Sequence, residues 1–450
     1  MDTPEKETPE ETTPPTPLEQ ARQAIAQADA IAQRDRNAFE EAIKGFNHAI
    51  ELLESEEESD TKLHLLGWAE MGKANAYSNS DTQEGIEKAI AGYQVAIKHF
   101  DDIKEPSESN KADIAAVWGN IGHTQSRVPA KETLEQATNC FRQSIVILEE
   151  LPWKDNPRYR HQLAATWLNL GNVYSRQSHP QKPEQRTIDA YEKALEIIDE
   201  LDKEDTAIGA LVASIRASLG RALMWSTQQD HLNLAIASFD ETIRTLAGIK
   251  EKKDPRLVIE MGSAHANRAN LFSRAKPTQD TVQETISSSE FALKIASANE
   301  KTHLVAAEIS LSARRSYCHA FGMLIGNQPA DKQEELHDKA SDLLEDGLKL
   351  VAHWEQKGAQ GLRQSAQHLF HLGCAFYCTQ QPHFLPEFVK ENLDLEKPDE
   401  IMRQSAEKIV AEAIERVNKA DAGDSEVASA LDETLEKLKA AAPKKDEKPA

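Results

Sequence analysis

Trp167-Leu-Asn-Leu170-Gly171-Asn-Val-Tyr174, followed by Thr187-Ile-Asp-Ala-Tyr191-Glu-Lys-Ala194-Leu195, is the stretch on which the fold turns. The first half returns as Trp68-x-x-Met71-Gly72, Trp118-x-x-Ile121-Gly122, Arg216-x-x-Leu219-Gly220 and His265-x-x-Arg268-Ala269. The second half returns as Ala89-x3-Tyr93-x2-Ala96, Ala137-x3-Phe141-x2-Ser144, Ala235-x3-Phe239-x2-Thr242 and Thr285-x3-Ser289-x2-Ala292. The first-half motifs recur every 49 or 50 residues. A fixed period of this length is the mark of stacked repeats, each of which buries its apolar face only against its neighbours. Small residues let two helices approach, and the aromatic residues fill the space between them.

These motifs resemble the tetratricopeptide repeat, with W-x2-L-G-x2-Y on a first helix and A-x3-F-x2-A on a second. The unit is longer than the usual ~34 residues. The excess falls in turns such as 178–184 and in connections such as 153–158 and 250–255. Ala42-x3-Phe46-x2-Ala49 marks an earlier unit, with its first helix near residues 18–32. Ala340-x3-Leu344-x2-Gly347 marks a later one. Leu369-x-x-Leu372-Gly373-x-x-Phe376 and Ala406-x3-Val410-x2-Ala413 mark an eighth, and residues 427–438 read as a capping helix. The resemblance implies an all-α, right-handed superhelix of about eight long hairpins. The expected organisation is an acidic Pro/Thr-rich disordered tail over 1–17, one repeat domain over 18–440 and a disordered tail over 441–450. Trp118, Trp167, Gly122, Gly171, Gly220, Tyr93, Phe141, Tyr191 and Phe239 are expected to be buried between helices.

Lys and Arg number 52 against 75 Asp and Glu, a formal charge of −23. So acidic a chain is a poor general partner for nucleic acid or anionic lipid. Four cysteines at helical positions are not a secreted disulfide framework. No signal peptide or membrane-spanning run is legible, so the expected location is cytoplasmic. No phosphate-binding loop, nucleophile elbow or zinc-protease motif is present, so no enzyme activity and no cofactor are expected.

Two groups of residues carry candidate chemistry. His371, Cys374 and Cys378 share one helical face and are zinc-compatible donors, with His368 and His383 nearby. The bland alternative is a pair of small residues beside the Gly373 packing position. The second group follows from the family, whose first helices line a concave groove. With each Trp as position four, position six reads Glu70, Asn120, Asn169, Ser218, Asn267 and His371. Position nine reads Lys73, His123, Asn172, Arg221, Asn270 and Cys374, and position thirteen reads Tyr77, Arg127, Arg176, Trp225, Arg274 and Cys378. The stripe is basic and Asn-rich within an acidic chain. Arg grips carboxylates with a planar fork, and Asn offers donor and acceptor to a peptide backbone.

The expected ligand groove is therefore Lys73, Asn120, Arg127, Asn169, Asn172, Arg176, Arg221, Trp225, Asn267, Asn270 and Arg274, holding an acidic peptide or acidic protein surface. Its arginines are expected to be exposed and to contribute little to stability. The alternative is that they pair with acids of neighbouring helices. The Lys/Asn clamp of chaperone-docking members is not reproduced, since position five carries Ala69, Gly119, Leu168, Ala217 and Ala266. The acidic N-terminal tail could fold back as a displaceable pseudo-ligand; an inert solubilising tail is the simpler reading. Length, long repeats and acidic tails also resemble the bacterial kinesin light chains. That resemblance implies a structural role beside a tubulin-like filament as an alternative to peptide capture.

Overall fold

The computed structural model describes residues 15–34, 38–80, 82–128, 130–249, 254–276, 278–325, 330–358 and 425–441, with a few single positions between 389 and 414. The described residues form fifteen helices. They are α1 (Pro17–Arg34), α2 (Phe39–Glu54), α3 (Asp60–Ser78), α4 (Gln83–Asp101), α5 (Glu108–Ser126), α6 (Lys131–Glu149), α7 (Pro157–Gln177) and α8 (Gln185–Ile198). They continue with α9 (Thr206–Leu223), α10 (Gln229–Gly248), α11 (Pro255–Arg274), α12 (Gln279–Ala296), α13 (Leu304–Ile325), α14 (Ala330–Gln356) and α15 (Ser425–Ala440). No strand occurs among the described residues; one isolated bridge joins His179 and Lys182. The all-α hairpin repeat expected from the motifs is the fold. The eighth repeat and the His371, Cys374 and Cys378 cluster lie outside the described residues.

Helix starts are written locally. Ser59, Ser107, Asn156, Asp205 and Asp254 each accept a backbone N–H at the start of α3, α5, α7, α9 and α11. Such caps satisfy donors that the first turn leaves open and typically contribute about 1 kcal/mol. Pro157 and Pro255 sit at the first helical positions, where their missing N–H costs nothing. Thr82 and Thr278 cap α4 and α12, whereas α6, α8 and α10 begin without a side-chain cap.

The glycines set how closely paired helices approach. A Cβ on Gly171 would sit 2.8 Å from the Tyr191 ring, and one on Gly220 2.8 Å from the Phe239 ring. At Gly122 the nearest atoms, in the Phe141 ring, would be at 3.1 Å. Tyr93, Phe141, Tyr191 and Phe239 are all buried, as expected. Trp118 and Trp167 differ: both are only half-buried. Position four lies at the edge of its helix, where an indole covers neighbouring side chains without being enclosed. The Trp68 indole N–H donates to the Asp113 carboxylate at 3.0 Å.

The chain divides into two compact units, Met1–Asp202 and Lys203–Ala450. In the N-terminal unit, Phe46, Leu53, Leu65 and Ala76 join α1, α2 and α3 in one buried cluster. Tyr93, Phe100, Ile121 and Cys140 join α3 to α6 in a second. In the C-terminal unit, Ala213, Leu246 and Ile249 pack with Leu257 and Met261. Ala292, Ala306 and Ile309 link α12 to α13, and Leu311, Phe321 and Leu350 link α13 to α14. Each cluster draws residues from successive hairpins, so the core of each unit is shared between repeats.

Candidate functional site: the first-helix face

The stripe read from the sequence is already engaged. The Arg127 guanidinium donates to the carbonyl of Ser78, and that of Arg176 to the carbonyl of Ser126. Arg274 donates to the carbonyl of Met224 at 2.9 Å and lies 4.3 Å from the Trp225 ring centroid. These acceptors are at the ends of α3, α5 and α9, where carbonyls have no partner within their helix. One cationic side chain therefore closes the first helix of the preceding repeat, at the negative end of its dipole. Arg221 pairs with Glu260 at 2.9 Å and with Ser218 at 3.0 Å. Lys73 pairs with Glu70 at 2.7 Å. Burial also lowers the pKa of Arg274 below the usual value.

This ladder exposes a two-residue offset in the first equivalent unit. Arg176 and Arg274 bond the residue just before position thirteen of the repeat before them, namely Ser126 before Arg127 and Met224 before Trp225. By the same rule Arg127, bonding Ser78, puts position thirteen of α3 at Asn79 and not at Tyr77. A second bond agrees. The Tyr191 hydroxyl donates to Asn172 at position nine, at 2.9 Å. The Tyr93 hydroxyl donates to Asn75, at 2.7 Å, two residues beyond Lys73. Gly72, in turn, faces Phe46 of the preceding hairpin and not Tyr93. The Trp68 motif thus marks a different helix face. The legible signal was spacing: Gly72 to Tyr93 is 21 residues, against 19 or 20 in the next three units.

Asn75 and Asn79 therefore take the positions on α3 that the motif alignment gave to Lys73 and Tyr77. They meet Asn120, which donates to Asn75 at 3.0 Å. Together with Ser78, Tyr93, His123 and Arg127 they line an open cleft of about 580 Å³ in the N-terminal unit. Among the described residues, its lining contains no carboxylate. Burial pushes the Tyr93 phenol up to about 12, so it stays a neutral donor on the floor of the cleft.

The other expected residues are more dispersed. Asn172 is committed to Tyr191, and Asn169 is half-buried on the same helix. Asn267 lies 3.5 Å from Ser263. Asn270 is buried, and its carbonyl oxygen has no partner among the described residues. The reason is visible at its counterpart: the unit that should supply a tyrosine carries Ser289, itself buried and without a hydrogen-bond partner among the described residues. Trp225 remains 42% exposed beneath Arg274. Arg176 belongs to a separate cleft in the N-terminal unit, with Lys131, Arg142 and Arg186. No group of three or more metal-ligating side chains occurs among the described residues. None of the described helices is long and apolar enough to cross a membrane.

No protein-family model matches this sequence, and no curated protein matches it. Among solved structures, the chain is similar to BtubC (BKLC) from P. vanneervenii at 14% identity and a TM-score of 0.40, over 64% of this chain and 92% of that one. It is similar to the Rap protein complexed with competence and sporulation factor at 13% identity and a TM-score of 0.41, over 94% and 98%. An engineered protein matches at 14% identity and a TM-score of 0.39, over 95% and 97%. The assignment as a helical repeat rests on the chain's own fifteen helices and their shared clusters.

Proposed function

We propose that this chain is a non-enzymatic protein-interaction scaffold that holds an acidic peptide on its first-helix face, centred on Asn75, Asn79, Asn120, His123 and Arg127. The observation that carries this reading is the carboxylate-free cleft of about 580 Å³ those residues line. In a chain of net charge −23, a polar concavity without an acid is an exception. Its amides can pair with an extended backbone in both directions, and Arg127 adds a cationic edge. The arginines further along the ladder are then mainly stitches between repeats, and binding is concentrated where the amides cluster.

Replacing Asn79 with Asp and His123 with Glu tests the reading. Fluorescence anisotropy with a labelled polyglutamate peptide should show affinity falling by about ten-fold or more, the equivalent of about 1.4 kcal/mol. Binding should also weaken as salt is raised. Unchanged affinity in the double variant would contradict the proposal. Salt-insensitive co-sedimentation with a tubulin-like filament, indifferent to both substitutions, would instead favour the filament-docking alternative.

A further inference from the structure

We propose that the cleft between α6, the end of α7 and the start of α8 is a second, separate site that takes a phosphoryl group. The cleft is about 660 Å³ and is lined by Lys131, Glu135, Arg142, Arg176 and Arg186, with Thr138, Asn139 and Gln177 among its polar walls. Four cations thus face one carboxylate, in a protein whose acids outnumber its bases by 75 to 52.

The arrangement is built around one buried ring. Tyr174 is 5% exposed, and its hydroxyl accepts from Arg142 at 3.0 Å. Arg186 lies over the same ring, 4.6 Å from its centroid. A single fixed tyrosine therefore holds two guanidinium groups close together. The stacking favours Arg186 and the hydrogen bond favours Arg142, but the two cations repel one another. Among the described residues, neither Arg142 nor Arg176 has a carboxylate partner: Arg142 is bonded to Tyr174, and Arg176 to the Ser126 carbonyl. Arg186 contacts Glu184 at 2.5 Å, which still leaves most of its donor edge uncommitted. Lys131 is 83% exposed, and its contact to Glu135 is long, at 3.9 Å.

Ordinary surface pairing does not account for this set. Elsewhere among the described residues, several lysines sit beside an acid one turn away, as Lys88 does with Glu84 and Lys339 with Glu335. Here two exposed arginines lack that compensation in the same concavity. A compact dianion with three acceptor oxygens offsets the repulsion and matches converging guanidinium forks better than a single carboxylate does. The phosphoryl group could be carried on a peptide side chain or come as free inorganic phosphate. The two sources share this chemistry and are separable by experiment. The inference does not depend on the peptide reading of the first-helix cleft, because the two clefts have no lining residue in common.

The test is calorimetric titration of the full chain with three probes: a phosphoserine peptide, the same peptide with Glu in place of phosphoserine, and inorganic phosphate. The expected result is binding of the phosphopeptide about ten-fold or more tighter than its Glu counterpart, with that affinity lost in Arg142→Gln/Arg186→Gln. The milder Lys131→Gln should weaken binding by a smaller factor without touching Tyr174, which keeps the proposal testable if the double variant unfolds. If inorganic phosphate binds as tightly as the phosphopeptide and competes with it, the site serves free phosphate and the proposal stands. The Asn79→Asp/His123→Glu variant should bind the phosphopeptide normally, so failure of one site is distinguishable from failure of the other. Equal binding of phosphoserine and Glu peptides, or phosphopeptide binding that is indifferent to Lys131, Arg142 and Arg186, would overturn the proposal.

Discussion

Gly171 shows how one missing side chain sets helix spacing. Because a Cβ there would lie 2.8 Å from the buried Tyr191 ring, Gly171→Leu should cost on the order of 1–3 kcal/mol by overpacking, read from chemical denaturation. Gly248, with nothing within 4 Å of its virtual Cβ, is the natural control and should tolerate alanine. The arginines at the repeat junctions are mostly exposed, as anticipated from sequence, yet they are also bonded. Arg274 is stacked on Trp225 and bonded to the Met224 carbonyl, so Arg274→Leu should lower stability by about 1–2 kcal/mol. A loss near zero in the same denaturation measurement would mean that the carbonyl is equally well served by water. The sequence identified these arginines as a periodic set because they recur one repeat apart. It could not reveal that Arg127, Arg176 and Arg274 bond backwards to a helix end, since a carbonyl acceptor leaves no trace in residue identity.

At the scale of the helix pair, the repeat motifs were sufficient to identify α1 to α14 as hairpins, and the caps at Ser59, Ser107, Asn156, Asp205 and Asp254 fix where five of the first helices begin. Register within α3 was not legible from Trp68 and Gly72, because two helix faces there each carry a plausible small residue, Gly72 and Ala74. Only the bonds of Tyr93 and Arg127 distinguish them. The α11–α12 hairpin departs most from the pattern, and its polar residues give it a pH response. His265 stacks on Phe291 with ring centroids 5.1 Å apart. Burial, reinforced by the charge of Arg268 and opposed by Asp240, depresses its pKa from 6.5 to about 4. The neutral ring is therefore favoured by folding. Its contribution is fully present above pH 6.5 and is lost as pH falls towards 4, where the unfolded chain binds the extra proton. Partial exposure reduces this to on the order of 1 kcal/mol. Thermal melts of the wild type should fall between pH 6.5 and 4.5 more steeply than those of His265→Gln; parallel curves would contradict the assignment.

The α12–α13 turn is secured in another way. Arg314 donates to Glu300 at 2.9 Å, and the Trp354 indole N–H of α14 donates to the Glu300 carbonyl at 2.7 Å. Burial alone would raise the Glu300 carboxyl, but the bonds from Arg314 and Ser310 outweigh it and hold the group below its ordinary value. Trp354→Phe keeps an aromatic ring and removes one partly buried donor. It should cost about 1 kcal/mol and accelerate amide exchange around residues 299–303 relative to the wild type.

For the whole molecule, the decisive contrast is between a surface of net charge −23 and two clefts that break from it, one amide-rich and free of carboxylates, the other lined by four cations. Overall charge was legible in composition, but the clefts were not. They are assembled from residues about one repeat apart, such as Asn75, Asn120 and Arg127, whose meeting depends on the register of α3 against α5. The central claim is that an acidic peptide lies on that first-helix face. Hydrogen–deuterium exchange of the full chain with and without saturating polyglutamate peptide tests it most directly. The expected result is slowed exchange concentrated at residues 75–79 and 120–127, with the second helices α4 and α6 unchanged along their outer faces. Protection confined to the second helices, or no protection at a peptide concentration that saturates binding, would contradict the account.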